Sequence, residues 1–231
     1  MGNQKIIIYQ IFTRLFGNRT NVCKQNGTIA ENGCGKMNFF TDDVLRQIRS
    51  KGYTHVWYTG VIRHATATAY SSYGIPRQHP AIVKGKAGSP YAITDYYDID
   101  PDMDEFLKLV DNSHRNDLKV IMDFVPNHVA RQYKSIAKGK GVRDLGEDDD
   151  KTKAFDANNN FYYCVNTPFS PNIDLYGGEA QPYSEFPAKA TGNDQFCASP
   201  SCNDWYETVK LNYGVDYCDA GGRSEHFDPI P

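Results

Sequence analysis

Apolar residues form three short runs in the first half of the chain, and each run is followed by a polar stretch. They cover residues 6–11 (IIIYQI), 54–58 (THVWY) and 120–122 (VIM). The first run shows no alternation of apolar and polar positions, which predicts a central parallel strand. The third is short enough for a strand buried on both faces. We therefore predict three parallel strands.

The segments between these runs carry helix signals. Thr41 can cap the first helix, and Gly52 can end it. Asp102 with Glu105 forms a capping box for the second helix, and Asn116 suits the left-handed residue that ends it. The predicted order is strand, helix, strand, helix, strand. Right-handed crossovers make this order a parallel sheet or part of a barrel.

Regular periodicity fades after the third strand. Residues 130–226 contain an acidic run at 147–150, an asparagine run at 158–160 and scattered prolines. Only residues 161–165 (FYYCV) suggest a short strand. About a hundred irregular residues inside one compact domain would be unusual. We interpret them as a separate segment inserted after the third strand.

Composition excludes some classes of protein. The chain has 231 residues, 40% of them hydrophobic, and a formal charge of −3, which is ordinary for a globular protein. Without a basic face, a nucleic-acid partner is not expected. No apolar run approaches the ~20 residues that cross a bilayer, so no membrane partner is expected. No signal peptide is visible at the start of the printed sequence.

The cysteines admit two interpretations. All six lie in loop-like stretches, at Cys23, Cys34, Cys164, Cys197, Cys202 and Cys218. Disulfides in loops would suit an oxidising compartment, with Cys23–Cys34 and Cys197–Cys202 as the obvious local pairs. A zinc site is the alternative, but the spacing at 197–202 lacks a second pair of ligands nearby.

Polar side chains follow the third strand directly. Asp123 stands where the run ends, Pro126 stops the ladder because it has no N–H, and Asn127 and His128 follow on the predicted loop. Ligands of α/β architectures bind at the carboxyl ends of strands. A lone Asp can instead cap a helix, and a lone His is more often structural.

Two motifs together resemble the α-amylase family of glycoside hydrolases. They are D-x-x-x-N-H at residues 123–128 and SPYAITDYYDIDP at residues 89–101. The resemblance implies an α/β fold: the N-terminal part of a (β/α)8 TIM barrel, with its first three parallel strands and an irregular inserted B domain. The implied division is barrel at 1–129, inserted domain at 130–226 and return to the barrel at 227–231.

The resemblance also implies roles for four residues. Tyr91 would stack on the sugar before the cleaved bond, although a loop tyrosine that packs on its neighbours is the alternative. His128 would hydrogen-bond a hydroxyl of the same sugar. Asp123 would pair with a distant arginine and hold the site together. Asn127 would match an asparagine that binds a structural calcium in many members of the family.

Calcium is where this sequence departs from the family pattern. Residues 209–212 (VKLN) resemble a short motif of the inserted domain, but Lys210 stands where calcium-binding members have aspartate. An ammonium cannot ligate a cation, and calcium takes six to eight oxygen ligands. Lysine here resembles the neopullulanase-like and cyclodextrin-degrading branches. We expect no metal or cofactor, although calcium held elsewhere by Asp- and Asn-rich loops stays open.

The catalytic carboxylates of the family have no match in this chain. Retaining glycosidases need two carboxyl groups ~5–5.5 Å apart, and in the family these end the fourth and fifth strands. No G-F-R-x-D-type strand end is present. The nucleophile and the acid/base are therefore expected beyond Pro231. We expect retaining hydrolysis of α-glucosidic bonds in α-glucans or maltooligosaccharides by the whole enzyme, and none by this chain alone.

Other functions remain open at this level. A glucanotransferase or isomerase of the same family would use the same residues. A non-catalytic carbohydrate-binding protein would bind maltoheptaose measurably in isothermal titration, whereas a partial cleft would show almost no affinity. A Rossmann-type nucleotide enzyme lacks its G-x-G-x-x-G after the first strand.

Two expectations concern the state of the protein in solution. Open sheet edges invite pairing, so the chain is expected to self-associate. The loop cysteines and a polymeric substrate favour a periplasmic or secreted location.

Overall fold

The computed structural model describes residues 5–71, 74–100 and 106–217. The strands in these ranges are β1 (Ile8–Phe12), β2 (His55–Thr59), β3 (Ile62–His64), β4 (Ile93–Ile99), β5 (Lys119–Met122), β6 (His128–Ala130), β7 (Tyr163–Cys164), β8 (Ala188–Lys189) and β9 (Thr208–Lys210). The α-helices are α1 (Ile29–Asn32), α2 (Asp42–Ser50) and α3 (Phe106–Arg115), with 3-10 turns at Met37–Phe39 and Pro80–Ile82.

Three parallel strands form the main sheet, as predicted, in the order β1-β2-β5. The position of the first strand was predicted wrongly. β2 is the central strand, and β1 lies at an edge, with Ile6 and Ile8 exposed. The apolar run at 6–11 lacks alternation, but none of the described residues pairs with the outer side of β1.

The third strand also differs from its prediction. β5 lies at the other edge of the sheet. Its faces are also less buried than predicted. Val120 and Ile121 are half-buried, whereas Lys119 and Met122 are exposed. A run of three apolar residues cannot distinguish an edge strand from a central one.

Helix α2 begins and ends as predicted. The Thr41 hydroxyl accepts a hydrogen bond from the Val44 N–H at 3.4 Å, and Gly52 takes φ +91°, a left-handed value that favours glycine. The helix places Leu45 and Ile48 in the core against the sheet. An amphipathic stripe of this kind is what makes a short helix stable.

The left-handed residue that follows helix α3 lies one residue later than predicted. The left-handed residue is Asp117, with φ 55°, and not Asn116. The Asn116 side chain instead joins two helices, because it donates to Asp42 Oδ1 at 2.9 Å and to the Asn112 carbonyl at 2.8 Å. The capping box predicted from Asp102 and Glu105 lies outside the described residues.

The chain after β5 forms a second core with antiparallel strands. β6 pairs with β9 and β7 pairs with β8. The short strand expected at 161–165 is β7, preceded by a bridge between Phe161 and Leu211. Val129, Phe161, Tyr163, Val209 and Leu211 pack together as the core. The sequence suggested that His128 lies on a loop. It instead begins the strand β6.

The domain division at 129/130 stays a prediction. The strand that opens the second core begins at His128, two residues before the predicted inserted domain. Residues 218–231, which include the predicted return to the barrel, lie outside the described residues.

The structure forms neither of the two local cysteine pairs that the sequence suggested. Cys23 is not bonded to Cys34, and Cys197 is not bonded to Cys202. Two hydrogen bonds hold the loop between Cys23 and Cys34. The Lys24 main-chain N–H donates to Asn32 Oδ1 at 2.9 Å, and the Asn32 side-chain amide donates to the Lys24 carbonyl at 3.0 Å. In the described ranges, no helix has the length and apolarity that a membrane span needs.

Candidate functional site

The predicted site residues lie near the carboxyl end of β5. The Asp123 N–H donates to the Tyr58 carbonyl at 3.0 Å, which extends the parallel pairing by one residue. The Asp123 side chain is half-buried. In the described ranges its carboxylate has no hydrogen-bonding or ion-pairing partner. Its predicted pairing with a distant arginine stays a prediction.

Asn127 orients His128. The amide nitrogen of Asn127 donates to the Gly192 carbonyl at 2.9 Å and lies 3.0 Å from His128 Nδ1. The histidine is only 6% exposed, because it opens β6 and pairs with β9. Burial and the contact with Asn127 hold the His128 ring in one orientation. This is a requirement for a ring that hydrogen-bonds a ligand.

Tyr91 lies beside His128 because its own loop is fixed at two points. The Arg14 guanidinium donates to the Ala87 and Gly88 carbonyls at 2.9 and 3.1 Å. Gly88 has φ +73°, and a Cβ there would meet the Ala65 carbonyl oxygen at 1.8 Å, so no other residue fits. The Tyr91 ring remains 46% exposed.

A second connection joins this loop to the chain after β6. The Asp95 carboxylate, on β4, is fully buried and accepts hydrogen bonds from the N–H groups of Ile136 at 2.9 Å and Tyr97 at 2.9 Å. Arg63 on β3 lies against it, at 3.9 Å, and also pairs with Asp98. The strand that follows the Tyr91 loop, β4, is thereby fixed relative to the residues that follow His128.

Tyr91 and His128 line one cavity of about 440 Å³. The structure brings these two predicted residues together. Ser89, Trp205, Glu207 and Thr208 complete the lining. The Trp205 ring is 45% exposed and its centroid lies 5.2 Å from that of His128. A cavity with aromatic sides and a few convergent polar groups is the usual form of a small-molecule site.

The electrostatics of the cavity keep His128 neutral. Burial of the ring lowers its pKa below the ordinary value of 6.5, and the nearby Lys210 ammonium acts in the same direction. The main chain of Tyr91 opposes both but does not reverse the shift. At neutral pH the imidazole is therefore uncharged, and one ring nitrogen can donate while the other accepts.

The residues at the family's calcium position do not fit calcium. Lys210 pairs with His128 across the two strands, and its Nζ lies 2.5 Å from Asp194 Oδ1. Asn127 turns its amide nitrogen inward, towards Gly192. Asn212 uses its amide nitrogen to donate to the Asp156 and Asn159 carbonyls, at 2.8 and 2.9 Å. These nitrogens are donors, whereas calcium needs oxygen ligands. The described ranges also lack any cluster of three or more His, Cys, Asp or Glu that could hold a metal.

A buried ion pair supports the segment that carries Trp205 and Glu207. Arg131 follows β6, is fully buried, and pairs with Glu185 at 2.6 Å. Its guanidinium also donates to the Tyr206 carbonyl, and its N–H donates to the Glu207 carbonyl at 3.1 Å. Buried charges are tolerated when they are paired and hydrogen-bonded in this way.

Trp205 and Glu207 were missed in the sequence. They lie in an irregular stretch with no periodicity, just before the VKLN motif. Their positions, four and two residues before that motif, were the available signal. Only the pairing of β6 with β9 brings them to the cavity. Among the described residues, Glu207 is the only carboxyl that lines it, so a pair of catalytic carboxylates is not assembled there.

A family comparison agrees with these motifs. The model described as "Alpha amylase, catalytic domain" matches residues 10–184, more than half of the chain. That catalytic domain is a TIM barrel. The match covers the end of β1, all of β2 and β5, Tyr91, His128 and the first part of the second core.

Individual relatives match shorter stretches. A trehalose-6-phosphate hydrolase of Bacillus subtilis is 29% identical over 134 residues, which is 57% of this chain and 18% of that protein. A 1,4-alpha-glucan-branching enzyme of Rhizophagus irregularis is 28% identical over 101 residues, 44% of this chain and 12% of that protein. The chain thus spans less than a fifth of the curated relatives that it matches.

Among solved structures, an alpha-amylase from Lactobacillus plantarum is similar with 25% identity and a TM-score of 0.39, over 57% of this chain and 24% of that one. A TM-score this low adds nothing to the assignment, which rests on the family match. The chain belongs to the alpha-amylase family, over the catalytic domain of that family.

Proposed function

We propose that this chain is the N-terminal part of an α-amylase-family glycoside hydrolase. In this proposal β1, β2 and β5 are the first three strands of the barrel, and the chain after β5 is the inserted B domain. The convergence of Tyr91 and His128 on one cavity supports the proposal. The family members it matches include hydrolases and a branching enzyme, each far longer than this chain.

The substrate is an α-glucan or a maltooligosaccharide, and the whole enzyme hydrolyses α-glucosidic bonds with retention. A glucosyl ring stacks on Tyr91, whose exposed face suits the apolar face of a sugar. The neutral His128 imidazole hydrogen-bonds one of its hydroxyls. Asp123 holds the site by pairing with an arginine elsewhere in the enzyme. Neither calcium at the family's position nor a cofactor takes part.

The nucleophile and the acid/base are placed beyond Pro231 in this proposal, because among the described residues a single carboxyl lines the cavity and retaining hydrolysis requires two. The 231-residue chain alone should release no reducing ends from starch or maltooligosaccharides. Release by pure chain, absent from a His128→Ala variant, would overturn this proposal. The reading frame beyond Pro231 offers a second test, since an Arg-x-Asp at a strand end is expected within about forty residues.

A transferase of the same family is the second candidate, because the branching-enzyme match favours it. The two activities differ in the acceptor, water or a sugar hydroxyl. Product analysis with the whole enzyme and a labelled maltooligosaccharide separates them. We propose a periplasmic or secreted location on the basis of the polymeric substrate, since the local disulfides that also favoured it are absent.

A further inference from the structure

Glu207 occupies an unusual position for a carboxyl. Its side chain is 7% exposed and lines the cavity beside Tyr91 and Trp205. Its Oε2 is buried and has no hydrogen-bond partner among the described residues. Burial raises the pKa of this carboxyl, and a hydrogen bond from its own main-chain N–H, together with the charges of Lys84 and Arg131, only partly opposes the shift. Buried polar groups are nearly always paired, so an unpaired one needs an explanation.

The main chain holds this carboxyl in place on both sides. The Glu207 carbonyl accepts from the Arg131 N–H at 3.1 Å, and the Thr208 N–H donates to the Trp205 carbonyl at 2.9 Å. Arg131 itself is committed to Glu185, so it does not neutralise Glu207. The main chain at Glu207 is therefore fixed, and its side chain lines the cavity with one oxygen, Oε2, that has unused hydrogen-bonding capacity among the described residues.

Trp205 gives the same cavity an apolar face. The ring is 45% exposed and lies at 57° to the His128 ring. The main-chain N–H of Trp205 donates to Asn193 Oδ1 at 3.2 Å, which fixes the start of this short segment. An exposed aromatic residue beside a carboxyl with one unpaired oxygen matches a sugar, which presents C–H groups on its face and hydroxyls around its rim.

We propose that Trp205 and Glu207 form a second sugar-contacting surface of this cavity, in which Glu207 hydrogen-bonds a hydroxyl of the glucosyl unit whose face contacts Trp205. This inference rests on the proposed function, because Tyr91 and His128 contact the same ligand. It adds a specificity determinant from the chain after β5. A ligand that lacks the bonded hydroxyl would leave Glu207 unpaired, which disfavours its binding.

The test is to measure the binding of maltotriose to the 231-residue chain by saturation-transfer NMR, because this method detects millimolar affinities. Glu207→Leu should raise Kd by about tenfold. Glu207→Gln keeps the shape and the hydrogen-bonding groups and should stay within about threefold. The matched control is Glu147→Gln, at an exposed carboxyl outside this cavity. Trp205→Ala should weaken binding, whereas Tyr176→Ala, at an exposed ring outside the cavity, should not.

The outcomes separate this inference from the proposed function. If His128→Ala weakens binding and Glu207→Leu does not, the inference is wrong and the proposed function stands. If Tyr91→Ala and His128→Ala both leave binding unchanged, the proposed function is wrong. Absence of maltotriose binding by the wild-type chain overturns the inference, whereas the proposed function, which expects little affinity from a partial cleft, is tested by the activity of the chain and by the reading frame beyond Pro231.

A stability measurement excludes misfolding as the cause of lost binding. The raised pKa of Glu207 means that folding favours the protonated form. Its contribution to stability is therefore fully present below the unfolded pKa of 4.5 and is lost as the pH rises through the folded pKa. Glu207→Gln should raise the unfolding midpoint at neutral pH, by about 3 °C, and by less at pH 4. An unchanged or lowered midpoint at neutral pH would contradict the unpaired state on which the inference rests.

Discussion

His128 and Lys210 are directly opposite each other across the antiparallel strands β6 and β9. The lysine ammonium lies 2.5 Å from Asp194 Oδ1, and it helps to lower the pKa of the histidine. This relationship joins the predicted sugar-binding residue to the position at which many members of the family bind calcium. Lys210 therefore contributes to the charge near the cavity, and we propose that its pair with Asp194 also excludes calcium from this position.

Calcium should not affect the stability of the wild-type chain, because the Lys210 ammonium already pairs with Asp194. Thermal unfolding in millimolar calcium and in chelator should give the same midpoint. Lys210→Asp should lower the free energy of unfolding by about 1–2 kcal/mol, because it places two carboxylates together, and calcium should restore part of the loss. Lys210→Met is the control that lacks both charge and ligands. A calcium-dependent rise of the wild-type midpoint would contradict this account of the site.

His128 should titrate below pH 6.5, because burial and Lys210 disfavour its charged form. A base with a lowered folded pKa contributes stability that is present above the unfolded pKa and is lost as the pH falls towards the folded value. The ring resonances of His128, followed by NMR between pH 4 and 8, measure this directly. Lys210→Met should move the midpoint upwards. A wild-type midpoint above 6.5 would show that the ring is not desolvated.

The Arg131–Glu185 pair should be essential for the second core. Arg131→Met leaves the buried Glu185 carboxylate with Lys189 as its remaining cationic partner and should cost about 3 kcal/mol, the lower end of the range for a broken buried pair. The control is Arg143→Met, because Arg143 and Asp148 form an exposed pair that is expected to contribute about 0–1 kcal/mol. Urea unfolding of both variants gives the comparison. Equal losses would mean that burial does not decide the importance of these pairs.

The open edges of the three-stranded sheet should cause self-association. Ile6 and Ile8 are exposed at the β1 edge, and Phe124 is exposed just beyond β5. Light scattering at increasing concentration should show species larger than a monomer, and Ile8→Lys should reduce them, since charge protects an edge. Leu107→Lys, on the exposed face of α3, is the matched control. A wild-type monomer at every concentration would end this proposal.

Local signals in the sequence predicted the strands and the helix cap well. Thr41 and Gly52 act through their own neighbours, so their roles follow from residue type and position. The position of a strand within a sheet does not follow from local signals. The prediction of β1 as the central strand was therefore wrong. His128 was placed on a loop because its partner strand, β9, lies eighty residues away and is only three residues long.

The site was predictable only as far as its motifs reach. Tyr91, Asn127 and His128 stand in recognisable sequence patterns, and the structure brings Tyr91 and His128 to one cavity. Trp205 and Glu207 belong to no such pattern. Their place at the cavity depends on the pairing of β6 with β9 and on the buried Arg131, and neither is encoded in a short spacing. The two local cysteine pairs that the sequence suggested are not formed, since closeness in sequence does not orient two side chains towards each other.

The most direct test of the sugar site is the NMR response of the His128 ring and the Trp205 indole to maltotriose. We predict that both sets of resonances shift in a saturable way, whereas those of His114, exposed on α3, do not move. Resonances of His128 and Trp205 that stay unchanged at saturating maltotriose would contradict the assignment of this cavity to a glucosyl unit.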